Sequence, residues 1–543
     1  MSDRWGWFRD TYLSVDPRSM GVFRVTFGFV LFADLIRRWL EIGLWYTNSG
    51  LLPNHTLLWR PPATHMFSLF FTISNGPEAA FGFALCALVY AAFTLGYRTG
   101  WAQVLTLVAR ISLNGRLAVL ENGGDMVMDL LCLLTLPLPL GQRFSLDAVV
   151  RGRVEPVATN RAGANPVAAG STRPFVSVAV LGLLLQFSAI YFFNAASKSG
   201  AAWRDGTAVH YALHQDKLVT WAGVWLREHV PLPALRVLTR SVLATEWLGC
   251  ALIMTPFFVR QARLLAVCLM PLLHLGFALG LNLGGFSVAM MSFFPLLLGG
   301  AHWDLLSRRF GAPARFVAAA IERAARVLVK EAPLQPPARP WFLRRLLIEC
   351  AVVVVLLGIA SEALNDNTSV PVALRVPRAS WTQAIIDYPR VLQGWRMFAP
   401  EPPRGDSMIY VDATTAAGRH VDPYNEVASD QAYPAGETVP THLGQSQFFV
   451  MYSERIPNAG YAAYRQAFSE WLEAYPLRTG HPADCLLTYD VYLITDTSPA
   501  PGTKGHATPL ERQRFMSYSA PAEGTCRPLP TVAAPPTSIA AAH

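Results

Sequence analysis

Six ionisable residues lie inside otherwise apolar stretches of the chain: Arg24, Arg110, Asp125, Asp129, Glu246 and His274, with Lys198 directly after another such stretch. Charged groups are costly in hydrocarbon, so they usually face a bundle interior or a functional cavity. Lys198 ends Tyr191-Phe-Phe-Asn-Ala-Ala-Ser-Lys198 and stands five residues before Trp203. An amine held away from water at the end of an apolar helix can serve as a base near neutral pH; snorkelling to the interface also accounts for a lysine there. Arg110 can pair with Asp125 or Asp129 simply to cancel charge, and a buried His274 can simply hydrogen-bond a neighbour. For each of these taken alone, Lys198 excepted, a structural role outweighs a chemical one. Arg24 reads as a snorkelling residue.

His210 and His214 are four apart, the helical spacing of a two-histidine metal site. No third ligand stands nearby, so no metal is predicted, and the segment reads as an interfacial helix on the outer surface. Cys-x-x-Cys, His-Glu-x-x-His, P-loop and dinucleotide fingerprints are all absent. Hydrolysis at a familiar metal site and cytoplasmic ATP use are thereby disfavoured.

The elements that position these residues follow from composition. The 543 residues are 52% hydrophobic and 15% charged, where a soluble globular protein carries about 25% charged residues. That excludes an ordinary soluble enzyme and predicts a mainly α, polytopic transmembrane bundle with a soluble appendage. Nine spans are expected, near 19–40, 78–97, 101–114, 125–141, 174–196, 241–259, 262–284, 286–301 and 342–361. The third, fourth and eighth are short. No cleavable signal peptide is expected, since no small-residue cleavage site follows the first run. Basic loops at 142–173 and 302–341 and a basic N-terminus fall on one side of nine spans, which orientation rules make cytoplasmic. The long loop 197–240 is also basic but weighs less. With that orientation Arg110, Asp125, Asp129, Lys198 and Glu246 come to the outer half of the membrane, with His274 about midway, so that five or six polar groups converge there.

Residues 362–543 hold 13 Lys and Arg against 18 Asp and Glu, while the rest of the chain is strongly basic. The basic residues sit between apolar runs rather than on one face, so the charge of +8 does not point to nucleic acid. The chain therefore divides into a membrane domain at 1–361, an extracytoplasmic α+β domain at 362–526 and a disordered tail at 527–543. Residues 314–330 read as a basic amphipathic helix lying on anionic lipid. In the soluble domain, Ser407–Thr414 and Cys485–Thr495 alternate as strands, His420–Asp422 returns after a turn, and Gly460–Ala474 is a helix. Five cysteines fall in spans. Cys485 and Cys526 stand apart in the soluble domain and suggest a disulfide, with two free thiols as the alternative.

Around Lys198 the sequence resembles a known family. Tyr191-Phe-Phe-Asn194, Lys198 and Trp203-Arg-Asp-Gly-Thr-Ala-Val-His-Tyr-Ala-Leu213 are similar to the central block of the horizontally transferred transmembrane (HTTM) family, related to vitamin K-dependent gamma-carboxylase. Asn114-Gly-Arg116 with Asn122-Gly-Gly-Asp125 resembles a second block. Glu246, Arg260, His274 and Asn282-Leu-Gly-Gly-Phe-Ser287 resemble a third. Trp395-Arg-Met-Phe-Ala-Pro400 resembles a segment that often follows this region. The resemblance covers roughly 15–305 and implies nine spans, a cytoplasmic N-terminus and an external C-terminal domain. It implies Lys198 as catalytic base on a reduced isoprenoid quinone of the vitamin K type. It also implies a pocket drawn from Arg110, Asn122, Asp125, Asp129, Asn194, Trp203, Glu246 and His274, and a gamma-glutamyl carboxylase-like activity on a secreted peptide or protein. The family histidine between the third and fourth spans is missing here: Asn114 to Asp125 contains no histidine. The alternative is a non-enzymatic membrane protein for maturation or export of a secreted peptide. A transporter is disfavoured, because no inverted repeat with paired broken helices stands out.

Overall fold

The computed structural model describes residues 2–59, 65–154, 173–309, 342–428, 446–503 and 511–520. The expected amphipathic helix at 314–330 and the tail at 527–543 lie outside them.

The protein is mainly helical. Among the described residues six helices are long and apolar enough to cross a membrane: α1 (Pro17–Trp39), α2 (Gly76–Leu95), α5 (Val178–Ser197), α6 (Leu232–Met254), α7 (Val259–Gly280) and α9 (Phe342–Asp366). A bent pair, Phe286–Leu297 with Gly300–Arg309 at 96°, makes a seventh if counted as one span. Its first part contains α8 (Phe286–Phe293). The two remaining expected spans are helices of another kind, α3 (Thr99–Arg116) and α4 (Gly123–Thr135). The 13 residues of α4 reach only about 20 Å, and both helices carry fully buried charges.

Local chemistry starts and stops these helices where the polar positions require. Asp16, Asn75, Asn122 and Ser177 each accept a backbone N–H from the first turn of the helix that follows. Gly96 ends α2 in the left-handed region at φ 69°.

The connecting segments sort to two ends of the bundle. At one end Arg18 bonds Asp16, Asp304 and the Gly300 carbonyl. There too Asp147 accepts from Arg98 and Thr99, Ser14–Val15 ladders with Phe175–Val176, and Glu349 accepts from Ser177 and Val178. At the other end Trp45, Glu121, Gly200, Lys217 and Gly284 all meet residues beyond 385. Segments at 40–59, 65–75, 117–122, 198–231 and 281–285 thus share the end that carries the C-terminal domain.

That domain is α+β. Its antiparallel sheet has the order β3 (Val427–Ala428), β2 (His420–Asp422), β1 (Gly405–Thr415), β4 (Leu486–Thr497), β5 (Glu511–Ser519). The strands and turn expected at 407–422 and 485–495 are present. The long β1–β4 pairing sets Val411 against Val491. Helices α10 (Gln447–Arg455) and α11 (Arg465–Glu473) bring Phe448, Tyr452, Phe468 and Trp471 into its core. The expected helix at 460–474 begins as a 3-10 turn over Ala459–Tyr464 and becomes α-helical at Arg465. Strand β5 and helix α10 were not legible in the pattern. Cys485 is buried and is not among the free thiols, which are Cys86, Cys132, Cys250, Cys268 and Cys350. Its expected partner Cys526 lies outside the described residues.

Candidate functional site

The Lys198 centre is built where α5 ends. Lys198 is the residue after its last turn, and its Nζ donates to both carboxylate oxygens of Glu246 on α6, at 2.5 and 2.6 Å. Asn194, one turn earlier, donates Nδ2 to Glu246 Oε1 at 2.8 Å. The Lys198 ammonium stands 4.5 Å from the centroid of the Trp203 ring, a cation–π distance. Trp203 is held in turn by donating its indole N–H to the Phe398 carbonyl at 2.8 Å. All four side chains border a cavity of about 370 Å³ between α5, α6, α7 and the segment at 397–398. The other lining groups are apolar, among them Leu213, Val242, Leu273, Gly276, Phe277 and Leu283. Leu238, Leu272 and Leu279 border it and are also exposed on the bundle surface. An apolar chamber with a few convergent polar groups at one point is the usual form of a small-molecule site.

A second buried network lies between α1, α3 and α4. Arg110 bonds Asp34 at 2.6 Å and Asp129 at 2.9 Å, and approaches Asp125 at 3.4 Å. Arg38 bonds Asp34 at 2.8 Å and also Asp125. Arg37 closes on the other oxygen of Asp34 at 2.7 Å. Asn114 donates to Asp129 and Glu121, and Glu121 is clasped by Arg390 from the C-terminal domain. Asn122 caps α4 and donates to Asp125 at 2.8 Å. Three carboxylates answer three guanidiniums, so this network reads as charge cancellation that fastens helices together.

The expected convergence of polar groups therefore resolves into separate sites. No hydrogen bond or ion pair joins the Arg110 network to Lys198 among the described residues, and the cavity lining contains neither Arg110 nor His274. His274 meets Tyr191 instead, with Nε2 2.7 Å from the hydroxyl. Asp34, Arg38, Glu121 and Arg390 escaped the sequence reading. For Asp34, the spacing to Arg37 and Arg38, three and four residues on at the end of an apolar run, was an available signal.

Two further expectations are corrected. Arg24 does not snorkel: it is fully buried and donates to the carbonyls of Thr94, Leu140, Arg143 and Phe144, stapling the end of α2 to the turns that follow α4. The His210–His214 segment is not an interfacial helix on lipid. It is the short helix Ala208–Leu213, largely buried, with His210 Nε2 2.8 Å from the Pro499 carbonyl. Among the described residues no group of three His, Cys, Asp or Glu could hold a metal.

Three of the six basic residues at 197–240 are held in ion pairs. Lys198 is spent on Glu246, Arg227 on Asp216 and Lys217 on Asp406 and Glu454. At that last junction burial raises the Asp406 carboxyl, with Lys217 opposing. Burial pulls Lys217 down, but Asp406 and Glu454 more than reverse this and leave it raised. Lys217 is thus a fixed cation tying the membrane part to the domain.

No protein-family model matches the chain, and neither a curated protein nor a solved structure is significantly similar to it.

Proposed function

We propose that the chain is a membrane enzyme of the horizontally transferred transmembrane family that acts on a reduced isoprenoid quinone at the Lys198 centre, in a gamma-carboxylase-like reaction on a secreted peptide. The observation that carries this reading is the union of a Lys–Glu pair with an apolar cavity that borders the exposed surface of the bundle. The residues fit such a ligand. Asn194 Oδ1 is buried without a hydrogen-bond partner, so it offers an acceptor to a hydroxyl, and the leucine-rich walls suit an isoprenoid chain. A reduced quinone, when bound, supplies the electrons for the oxidative step.

The chain's own residues handle the proton. Lys198 and Glu246 begin as ammonium and carboxylate. Taking one proton from a hydroxyl in the cavity, they end as ammonium and neutral carboxyl. Glu246, rather than the Lys198 that the resemblance implies as base, stores the proton, while Lys198 keeps its positive charge toward the oxygen that released it. Asn194 holds Glu246 Oε1 in place, and Trp203 covers the ammonium and limits its motion.

Gly276 provides the test. It borders the cavity, and a Cβ added there would meet no atom within 4 Å. Gly276→Trp is expected to fill the chamber and abolish quinol consumption by purified protein in lipid, with thermal stability unchanged. Undiminished consumption would remove the cavity from the reading. The closed geometry of Lys198–Glu246, each charge already answered, favours the second reading, a non-enzymatic membrane protein for maturation or export of a secreted peptide. Peptide maturation that persists in Gly276→Trp would decide for it.

We also propose nine crossings of the cell membrane, a cytoplasmic N-terminus and an extracytoplasmic C-terminal domain. The alternation of connecting segments between the two ends supports this, as do the basic residues at 142–173 and 302–341. Alkaline phosphatase fused after residue 400 is expected to be active, and a fusion near residue 160 inactive. The reverse pattern would overturn the topology.

A further inference from the structure

Arg116 ends α3 and is fully buried. Among the described residues it is the one buried arginine whose Nε, Nη1 and Nη2 all lack a hydrogen-bond partner. Other buried arginines show how unusual that is for this chain. Arg24 is satisfied by carbonyls, Arg38 and Arg110 by carboxylates, and Arg390 by Glu121. The network beside it has no charge to spare, since Asp34, Asp125 and Asp129 are matched by Arg37, Arg38 and Arg110, and Glu121 is taken by Arg390. Tyr46 is committed as well, accepting from Arg38 and donating to the Leu113 carbonyl.

A second orphan stands on the same helix face. Ser112, one turn before Arg116, is buried, and its hydroxyl has no partner. Its carbonyl, by contrast, is held by the Ser68 hydroxyl at 2.6 Å. The backbone here cannot swing away to relieve the charge. A Cβ on Gly115 would stand 2.2 Å from the Phe67 carbonyl oxygen, so the end of α3 is packed directly on the 67–68 strand of chain. An uncompensated buried cation is strongly unfavourable unless something answers it.

We infer that Arg116 and Ser112 form a binding site for a small planar monoanion with an O–C–O group, a carboxylate or bicarbonate. The guanidinium fork matches two oxygens bonded to one carbon, and the serine hydroxyl supplies another donor. One cation and one neutral donor balance a single negative charge, which excludes a phosphate dianion. The site is separate from the Lys198 cavity, whose lining contains neither residue.

The test uses full-length protein in lipid nanodiscs, with unfolding temperature followed at fixed pH and ionic strength. Sodium acetate or sodium bicarbonate is expected to raise the unfolding temperature saturably, while sodium chloride and sodium phosphate do not. Arg116→Met is expected to abolish the anion-dependent rise and to unfold at a higher temperature than wild type without anion, because an unpaired charge is gone. Ser112→Ala should weaken the apparent affinity several-fold. The lower midpoint of the two active anions tells bicarbonate from carboxylate. No rise in wild type, or an equal rise in Arg116→Met, would overturn the inference. Should Arg116→Met fail to fold, an unchanged affinity in Ser112→Ala overturns it instead.

Discussion

Trp203 is fixed from one side by the Phe398 carbonyl, 2.8 Å from its indole nitrogen, and offers its ring face to the Lys198 ammonium on the other. A residue of the C-terminal region thereby sets the posture of the lysine at the end of α5. The spacing of Lys198 and Trp203 along the chain has a spatial reason: five residues carry the backbone around the end of α5 so that the indole folds back over the amine.

Lys198→Ala is expected to abolish quinol consumption, and Lys198→Arg to fail as well, since a guanidinium does not supply the same compact donor to Glu246. Glu246→Gln should lose at least 100-fold, on the order expected for removing a proton acceptor, and should leave Lys198 buried without a counter-charge. Wild-type rates in Lys198→Ala, with the fold checked by thermal unfolding, would eliminate the enzymatic reading built on this pair.

In the Arg110 network, Asp129→Ala removes the partner of Arg110 Nε and of Asn114. Breaking a buried ion pair from one side costs about 3–5 kcal/mol. The double variant Arg110→Met/Asp129→Leu is expected to recover much of that loss. Equilibrium unfolding in mild detergent measures both, and additive losses would reject charge cancellation as the role of the pair.

Asp422 gives the domain a pH dependence. It lies in β2, buried, accepting from Tyr424 N, Asn425 N and Asn425 Nδ2. Burial pushes its carboxyl up to about 6 from 3.8, with the hydrogen bonds opposing. The folded value exceeds the unfolded one, so the folded state holds the proton more tightly. Its contribution to stability is fully present below about pH 4 and is lost as pH rises to about 6. Asp422→Asn should flatten the stability profile of the full-length protein across that window. A slope unchanged by the substitution would refute the assignment.

A Cys485–Cys526 disulfide is expected in protein isolated from the membrane. Non-reducing peptide mapping should recover the crosslinked pair. Both cysteines found as free thiols after rapid alkylation would reject it.

What was readable in the sequence is what depends on local spacing. The apolar runs marked the long helices, alternation marked β1 and β4, and the Lys198–Trp203 interval marked the centre. What failed was direction around the bundle. Arg110, Glu246 and His274 were brought together by height alone, yet α3 turns its charges toward α1 and α4, while α6 turns Glu246 toward α5. Arg390 could not have been matched to Glu121, since 269 positions separate them and no local pattern spans that distance. Arg24 was misjudged because a cation can be answered by carbonyls, which leave no trace in residue identity.

That same separation bears on how the protein is made. Glu121 is synthesised long before Arg390, and Trp203 long before Phe398. During translation the early helices are complete in length yet hold a buried carboxylate without its guanidinium and an indole without its carbonyl. The last third of the chain closes both. Assembly of the bundle is therefore finished from the C-terminal side, and a chain that stops before residue 390 leaves both groups without these partners.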